Sequence, residues 1–376
     1  MPGKWDWLKD EIGFSNLLTG GKMLLKIISG KLSADDLTKC ALCPNMCRHA
    51  CPVSMVDGRE TTSPAGKARV AFMIREGRLE LNLENLEPLY MCLSCDICTL
   101  YCPFEFSVAD LIRPIKEEAV KKGIIFEEFK KVFENLENYG DVYSAKSEEE
   151  NGRGKVLYIR GCTIRNKLPE LGEKALSLLK KLGFEVFTIN ETCCGIPAYN
   201  LGNIELFKKL ADENAKKINQ SKAELVVTSC PSCAYAYRVL YPKYGVKLKP
   251  KVLHIAEILE DRLKGLKAEG EVTYHNPCKL ALGLDQKELL KNILNKIEGL
   301  RVKEPRKEFF CCGYGGSAIS RLNPELAEEI AQERREQLKD GADKVITACP
   351  SCKLALNSDE LEVLDIVEFA HQLLGE

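Results

Sequence analysis

Whole classes of function fall away with what this sequence lacks. It has almost no net charge: 54 Lys and Arg stand against 55 Asp and Glu in 376 residues. No global basic field is therefore available for a nucleic-acid partner. Long apolar runs are absent too; no stretch of about 18 apolar residues occurs, which excludes a membrane-spanning helix on sequence grounds. The beginning of the sequence shows no apolar leader with a cleavage site. The expectation is a cytoplasmic chain, at most peripheral on the inner face of a membrane. No flavin, haem or molybdenum motif is evident either, so a redox role would need partner subunits and a hetero-oligomer.

What the sequence does have is cysteine, 18 residues in all. In a reducing compartment so many thiols do not form a disulfide framework, and metal binding or catalysis is the better reading. They divide without remainder into two groups of four followed by two groups of five. Hydrophobic residues make up 45% of the chain, ample for compact cores, and the length suggests two to three domains.

The two groups of five are one module written twice. Cys162 precedes the doublet Cys193-Cys194-Gly195, and Cys230-Pro-Ser-Cys233 follows. Cys278 precedes Cys311-Cys312-Gly313, and Cys349-Pro-Ser-Cys352 follows. The glycines let backbone approach a bulky inorganic group. The tails match as well, Val252-Leu-His-Ile-Ala-Glu257 against Val363-Leu-Asp-Ile-Val-Glu368. The offset between copies runs from 111 residues (Val252 to Val363) to 119 (Cys230 to Cys349), which marks a domain duplication.

Periodicity divides the chain further. Residues 1–36 read as two short amphipathic helices, Trp5, Leu8 and Ile12 on one and Leu24, Ile27 and Ile28 on the next, capping the following domain or docking on a membrane partner. Residues 37–145 hold the groups of four, with Ser63 as N-cap and Pro64 at the first position of a helix between them. A polar linker at 147–154 leads to one α/β domain at 154–268 and a second at 269–376. Strands are expected at Val156–Ile159, Glu185–Ile189 and Leu225–Thr228 in the first copy. In the second they are expected at Glu271–His275, Phe309–Phe310 and Lys344–Thr347. Strand–helix alternation predicts parallel sheets with ligands at the strands' carboxyl ends, and each module cysteine is expected at or just past such an end. The fold class is thus α+β multidomain: a helical domain carrying the two groups of four, then two duplicated α/β domains with parallel sheets related by a pseudo-two-fold axis.

The groups of four read Cys40-x2-Cys43-x3-Cys47-x3-Cys51-Pro52 and Cys92-x2-Cys95-x2-Cys98-x3-Cys102-Pro103. The second is the run of bacterial-type two-cluster ferredoxins, in which the fourth cysteine of each run serves the other cluster. The expected ligand sets are Cys40, Cys43, Cys47 and Cys102 for one cubane, and Cys92, Cys95, Cys98 and Cys51 for the other. Four thiolates per run also suit zinc. Five thiolates per module suit a larger iron–sulfur assembly, or a cubane with a spare thiol. Buried structural cysteine, a dinucleotide loop at Gly313-x-Gly315-x-x-Ala318 and Cys-x-x-Cys exchange are the competing readings. His275, three residues before Cys278, is a candidate proton donor to a departing thiolate. Arg165, Lys279 and Lys353 adjoin the module cysteines and are candidates for pairing with an anionic substrate or the cluster charge.

These motifs resemble the CCG domains and the dicluster ferredoxin part of heterodisulfide reductase. Their fusion over about residues 37–376 resembles the D-type subunits of that enzyme family. The resemblance implies one non-cubane 4Fe-4S cluster on Cys162, Cys193, Cys194, Cys230 and Cys233, and another on Cys278, Cys311, Cys312, Cys349 and Cys352. It further implies two cubane clusters acting as a wire, reductive cleavage of a small-molecule disulfide such as coenzyme M–coenzyme B heterodisulfide, and a membrane cytochrome b partner. Relatives of the same architecture pass electrons between flavoprotein dehydrogenases (glycolate, lactate or glycerol-3-phosphate type) and a quinone or membrane cytochrome, which is the alternative function.

Overall fold

The computed structural model describes residues 35–144, 152–340, 342 and 344–375. The helices expected over 1–36 lie outside the described residues as far as residue 34, as does the expected linker over 147–151. A helix at Pro64–Arg75 anchors the first region. The Ser63 hydroxyl accepts the Gly66 N–H at 3.1 Å, and Pro64 takes the first position, where no N–H is needed. Helices Asp36–Leu42 and Val108–Lys121 pack against it. Glu127–Tyr139 then buries Phe129, Val132, Phe133 and Leu136, an i, i+3, i+4, i+7 stripe.

Beyond residue 152 the chain forms two four-stranded parallel sheets. The first comprises β1 (Val156–Ile159), β2 (Val186–Phe187), β3 (Leu225–Thr228) and β4 (Lys251–His254), in the order β2-β1-β3-β4. The second comprises β5 (Lys267–His275), β6 (Glu298–Val302), β7 (Lys344–Thr347) and β8 (Glu362–Asp365), in the order β6-β5-β7-β8. All four residues of β1 are apolar and buried, as expected of a central parallel strand covered on both faces. In each sheet the chain steps from the first strand to one neighbour and then crosses to the other side. A switch point therefore opens between β1 and β3, and between β5 and β7.

One expected strand is wrong. Phe309–Phe310 is irregular chain, and the second strand of that copy is β6 at Glu298–Val302, well upstream. This edge strand is mostly exposed, while Phe310 is apolar because it is buried in a core with Leu93 and Ile319. The doublets accordingly sit on loops and not directly at strand ends.

The two copies meet reciprocally. The helix after Cys230 packs on the turn after Cys278, and the helix after Cys349 packs on the helix opening at Cys162. Likewise Ile255–Arg262 meets Leu289–Asn295, while Ile366–Leu373 meets Pro169–Lys181. Contacts exchanged in this way are those of a pseudo-two-fold axis. The cores follow the same logic. One joins the N-terminal helices to the first copy, a second joins the two copies, and a third joins the Cys51 and Cys92 loops to the second copy.

The matching tails are capping boxes. Glu257 accepts the His254 N–H at 2.7 Å while His254 Nδ1 accepts from Ala256 at 3.2 Å. Glu368 accepts the Asp365 N–H at 2.9 Å while Asp365 Oδ1 accepts from Val367 at 3.0 Å. Asp365 is fully buried and its Oδ2 has no partner, so burial pushes its carboxyl up to about 7. A carboxyl that binds its proton more tightly when folded contributes stability at low pH and loses it as pH rises through the folded value. Thermal unfolding between pH 4 and 8 is expected to show this loss in the wild type. Asp365→Asn, which caps without ionising, is expected to flatten the profile and to melt higher than wild type at pH 8.

Candidate metal centres

The strands deliver the module cysteines in register. Ile159 pairs with Thr228 across β1 and β3, and His275 with Thr347 across β5 and β7. Three residues past the first of each pair come Cys162 and Cys278; two past the second come Cys230 and Cys349. Both switch points open onto one cavity of ≈ 330 Å³, and all ten module cysteines line it. Within each module the thiols form a hydrogen-bonded chain of the same order. It runs Cys162, Cys193, Cys194, Cys233, Cys230 in the first and Cys278, Cys311, Cys312, Cys352, Cys349 in the second.

Hydrogen bonds from Cys193 and Cys233 pull Cys194 down to about 6. Those from Cys311 and Cys352 hold Cys312 well below the usual thiol range. Cys162 and Cys311 are pushed up by the same sharing and by burial. So many buried thiolates can coexist only around cations, and ligation by metal releases the protons. All 18 cysteines are free.

The remaining eight thiols form two further groups. Burial, then the charges of Cys47, Cys43 and Cys102, push Cys40 up to about 12. Cys47 is pushed up to about 11 by burial, with Cys102 next. Cys51, Cys92, Cys95 and Cys98 line a small cavity together with Lys67, whose ammonium offsets the burial of Cys51. Lys67 is itself buried and donates to the Thr62 carbonyl. Cys95 also hydrogen-bonds Cys311, so this second group adjoins the second module directly. The donor sets and their enclosure suit iron–sulfur clusters.

Of the charged residues singled out by sequence, only Lys279 lines the cavity, and it is held by Asp96 at 3.1 Å and by the Tyr235 ring at 4.7 Å. Arg165 is spent on Asp141 and Glu191, tying the end of the N-terminal region to the first module. Lys353 pairs with Glu368 at 2.6 Å, bracing the capping box. Neither lines the cavity. His275 is buried, lies outside the cavity lining, and hydrogen-bonds Cys312.

Sequence reasoning missed other residues. Arg321 lines the cavity and pairs with no carboxylate among the described residues. Tyr143 and Tyr314, 171 positions apart, join hydroxyls at 3.1 Å beside it. Arg334 is fully buried and donates Nε–H to His275 Nδ1 at 3.1 Å. A signal for it existed: Leu326, Ile330, Arg334 and Leu338 recur every four residues, placing an arginine on the apolar stripe of its helix.

Comparison with known proteins agrees with this architecture. Residues 36–106 match the 4Fe-4S dicluster domain family, and residues 156–238 and 272–357 each match the cysteine-rich domain family. Fold and site thus define an iron–sulfur protein with a dicluster region and a duplicated cysteine-rich domain. The chain is 31% identical to the B-type subunit of fumarate reductase (CoM/CoB) from Methanothermobacter marburgensis, covering 84% of this chain and 66% of that protein, just short of two thirds of its length. It is 30% identical to the D-type subunit of dihydromethanophenazine:CoB–CoM heterodisulfide reductase from Methanosarcina acetivorans, covering 78% of this chain and 79% of that protein. The chain belongs to the family of D-type heterodisulfide reductase subunits. In fold it is similar to a hypothetical protein from Helicobacter pylori, with a TM-score of 0.58 at 13% identity, covering 84% of this chain and 68% of that one.

The doublets depend on glycine. Gly313 has φ +83°, and a Cβ there would lie 2.3 Å from the Ala327 carbonyl oxygen of the packed helix. Gly58 has φ +74° with nothing within 4 Å. Gly58→Ala is expected to destabilise by only the left-handed backbone penalty, about 1–2 kcal/mol. Gly313→Ala is expected to exceed that clearly and to lower the iron bound by the second module, read by chemical denaturation and iron analysis.

Proposed function

We propose that this chain is the catalytic iron–sulfur subunit of a heterodisulfide reductase-type complex. The observation that carries the reading is the single cavity lined by all ten module cysteines, with neither copy missing a thiol. Cys162, Cys193, Cys194, Cys230 and Cys233 would hold one non-cubane 4Fe-4S cluster, and Cys278, Cys311, Cys312, Cys349 and Cys352 the other. Cys40, Cys43, Cys47 and Cys102 would hold one cubane, and Cys51, Cys92, Cys95 and Cys98 the second. When bound, the clusters supply the two electrons that split a disulfide into two thiolates.

The chain's own residues do the rest. The reciprocal packing of the two copies keeps their sulfur sets facing across the cavity, where a disulfide can lie between them. Arg321, unpaired at the cavity wall, binds an anionic end of the substrate. Burial keeps the Tyr143 phenol protonated, so the Tyr143–Tyr314 pair presents an O–H to a sulfur released there. The Cys95–Cys311 contact supports electron entry through the second module. Exposed Leu42, Met46, Tyr101 and Phe104 flank the outer cysteine runs, a suitable face for an electron-donating partner such as a membrane cytochrome b or a flavoprotein subunit. No helix among the described residues is long and apolar enough to cross a membrane.

The test is viologen-dependent reduction of coenzyme M–coenzyme B heterodisulfide by the anaerobically purified, iron-replete chain. Cys312→Ser is expected to cut turnover by about 100-fold or more, beyond the 10–100-fold typical of losing an outer-shell partner. Full iron with reducible clusters but no turnover would instead favour an electron conduit between a dehydrogenase and a quinone or cytochrome.

A further inference from the structure

We propose that Arg334 and His275 form a hydrogen-bond relay onto the Cys312 sulfur that makes the second five-cysteine centre easier to reduce than the first. The proposal rests on the reading that each module holds a cluster. Donor chemistry fixes the relay's direction. A guanidinium can only donate, so the Arg334 Nε–H at 3.1 Å requires His275 Nδ1 to accept. The neutral ring then carries its proton on Nε2, and that N–H is the group left to meet Cys312. A protonated Nε2 has no lone pair for iron. His275 is therefore a donor to a ligand sulfur and not itself a ligand, although its ring nitrogens, Cys312 and Cys352 could geometrically hold a metal ion together.

Arg334 carries a second argument. It is 0% exposed, its other hydrogen bonds go to the neutral Lys307 carbonyl and Gln337 side chain, and one terminal nitrogen has no partner. No carboxylate among the described residues pairs with it. A buried charge of that kind needs a counter-charge nearby, and the groups set against its burial are Cys352, Cys312 and Cys311, with Tyr274 after them.

The first copy serves as an internal control. Ile159 holds the register position of His275. Eleven residues past the matching Asn helix caps, Asn203 and Asn323, stand Asn214 and Arg334. Asn214 braces backbone, donating to the Cys193 carbonyl at 2.9 Å and accepting from the Thr192 N–H at 3.2 Å. Glu191 is buried near that centre. Donors to the sulfurs and positive charge raise an iron–sulfur potential, and negative charge lowers it. The second centre has the first two, with no carboxylate on Arg334, whereas at the first centre the one guanidinium, Arg165, is outnumbered by two carboxylates, Asp141 and Glu191.

The experiment uses the anaerobically reconstituted full chain. Iron and sulfide are counted first. Reduction of each module's centre is then followed by EPR against applied potential, the signals being assigned with Cys194→Ser and Cys312→Ser. His275→Leu is expected to shift the second centre's reduction equilibrium unfavourably by roughly tenfold, ~59 mV for one electron, leaving the first centre unmoved. His275→Gln, which keeps an N–H, should recover part of the shift, and an exchangeable proton coupled to the second centre should vanish in His275→Leu. Full iron with both potentials unmoved in the His275 variants would overturn the relay, as would the nitrogen coupling of a ligating imidazole. A wild-type chain whose modules bind no iron would overturn the cluster reading and the relay with it.

Discussion

Sulfur atoms gathered this closely cannot all ionise unless positive charge lies among them, and most of this structure answers to that constraint. The thiols share protons along hydrogen-bonded chains, with the second cysteine of each doublet drawn toward the thiolate and its neighbours pushed away from it. Fixed cations are held close by: Lys67 beside Cys51, Lys279 at the cavity wall, Arg334 behind Cys312. Bound iron would complete the neutralisation that these residues begin.

Holding the sulfurs together requires that the pieces of the chain not move apart, and the cores are placed accordingly. None of the three belongs to one unit alone. Gly202, with φ +90°, admits the backbone of Lys116 so closely that a Cβ would lie 2.7 Å from it, locking the N-terminal helices to the first copy. Across the two copies Gly316 instead meets the Asn200 side chain, whose amide donates to the Gly316 carbonyl at 3.3 Å.

Much of this was legible in the sequence because it was written twice. Repetition marked the duplication, and the buried central strands β1, β3 and β7 announced themselves as short apolar runs. The edge strand β6 did not, since its Glu-Gly-Leu-Arg-Val is mostly exposed and its apolar neighbours at Phe309–Phe310 belong to another core. The site's charged residues were harder. Arg165 and Lys353 stand beside cysteines in sequence but turn to carboxylates, while Arg321 and Arg334 come from a distant stretch that carries no cysteine. Adjacency in sequence says little about direction, and the Tyr143–Tyr314 pairing depends on a tertiary approach that no local pattern encodes.

The pseudo-two-fold axis has a consequence for what the molecule can become. A single module that associated with its own copy would be bound by strict symmetry, and any residue placed behind one sulfur set would appear behind the other. Joining the copies in one polypeptide lifts that requirement. Ile159 and His275 occupy the same place in their sheets yet differ in chemistry, and Asn214 and Arg334 do so on the matching helices. Covalent fusion is thus what gives the two halves separate identities, and with them a direction along which charge can run.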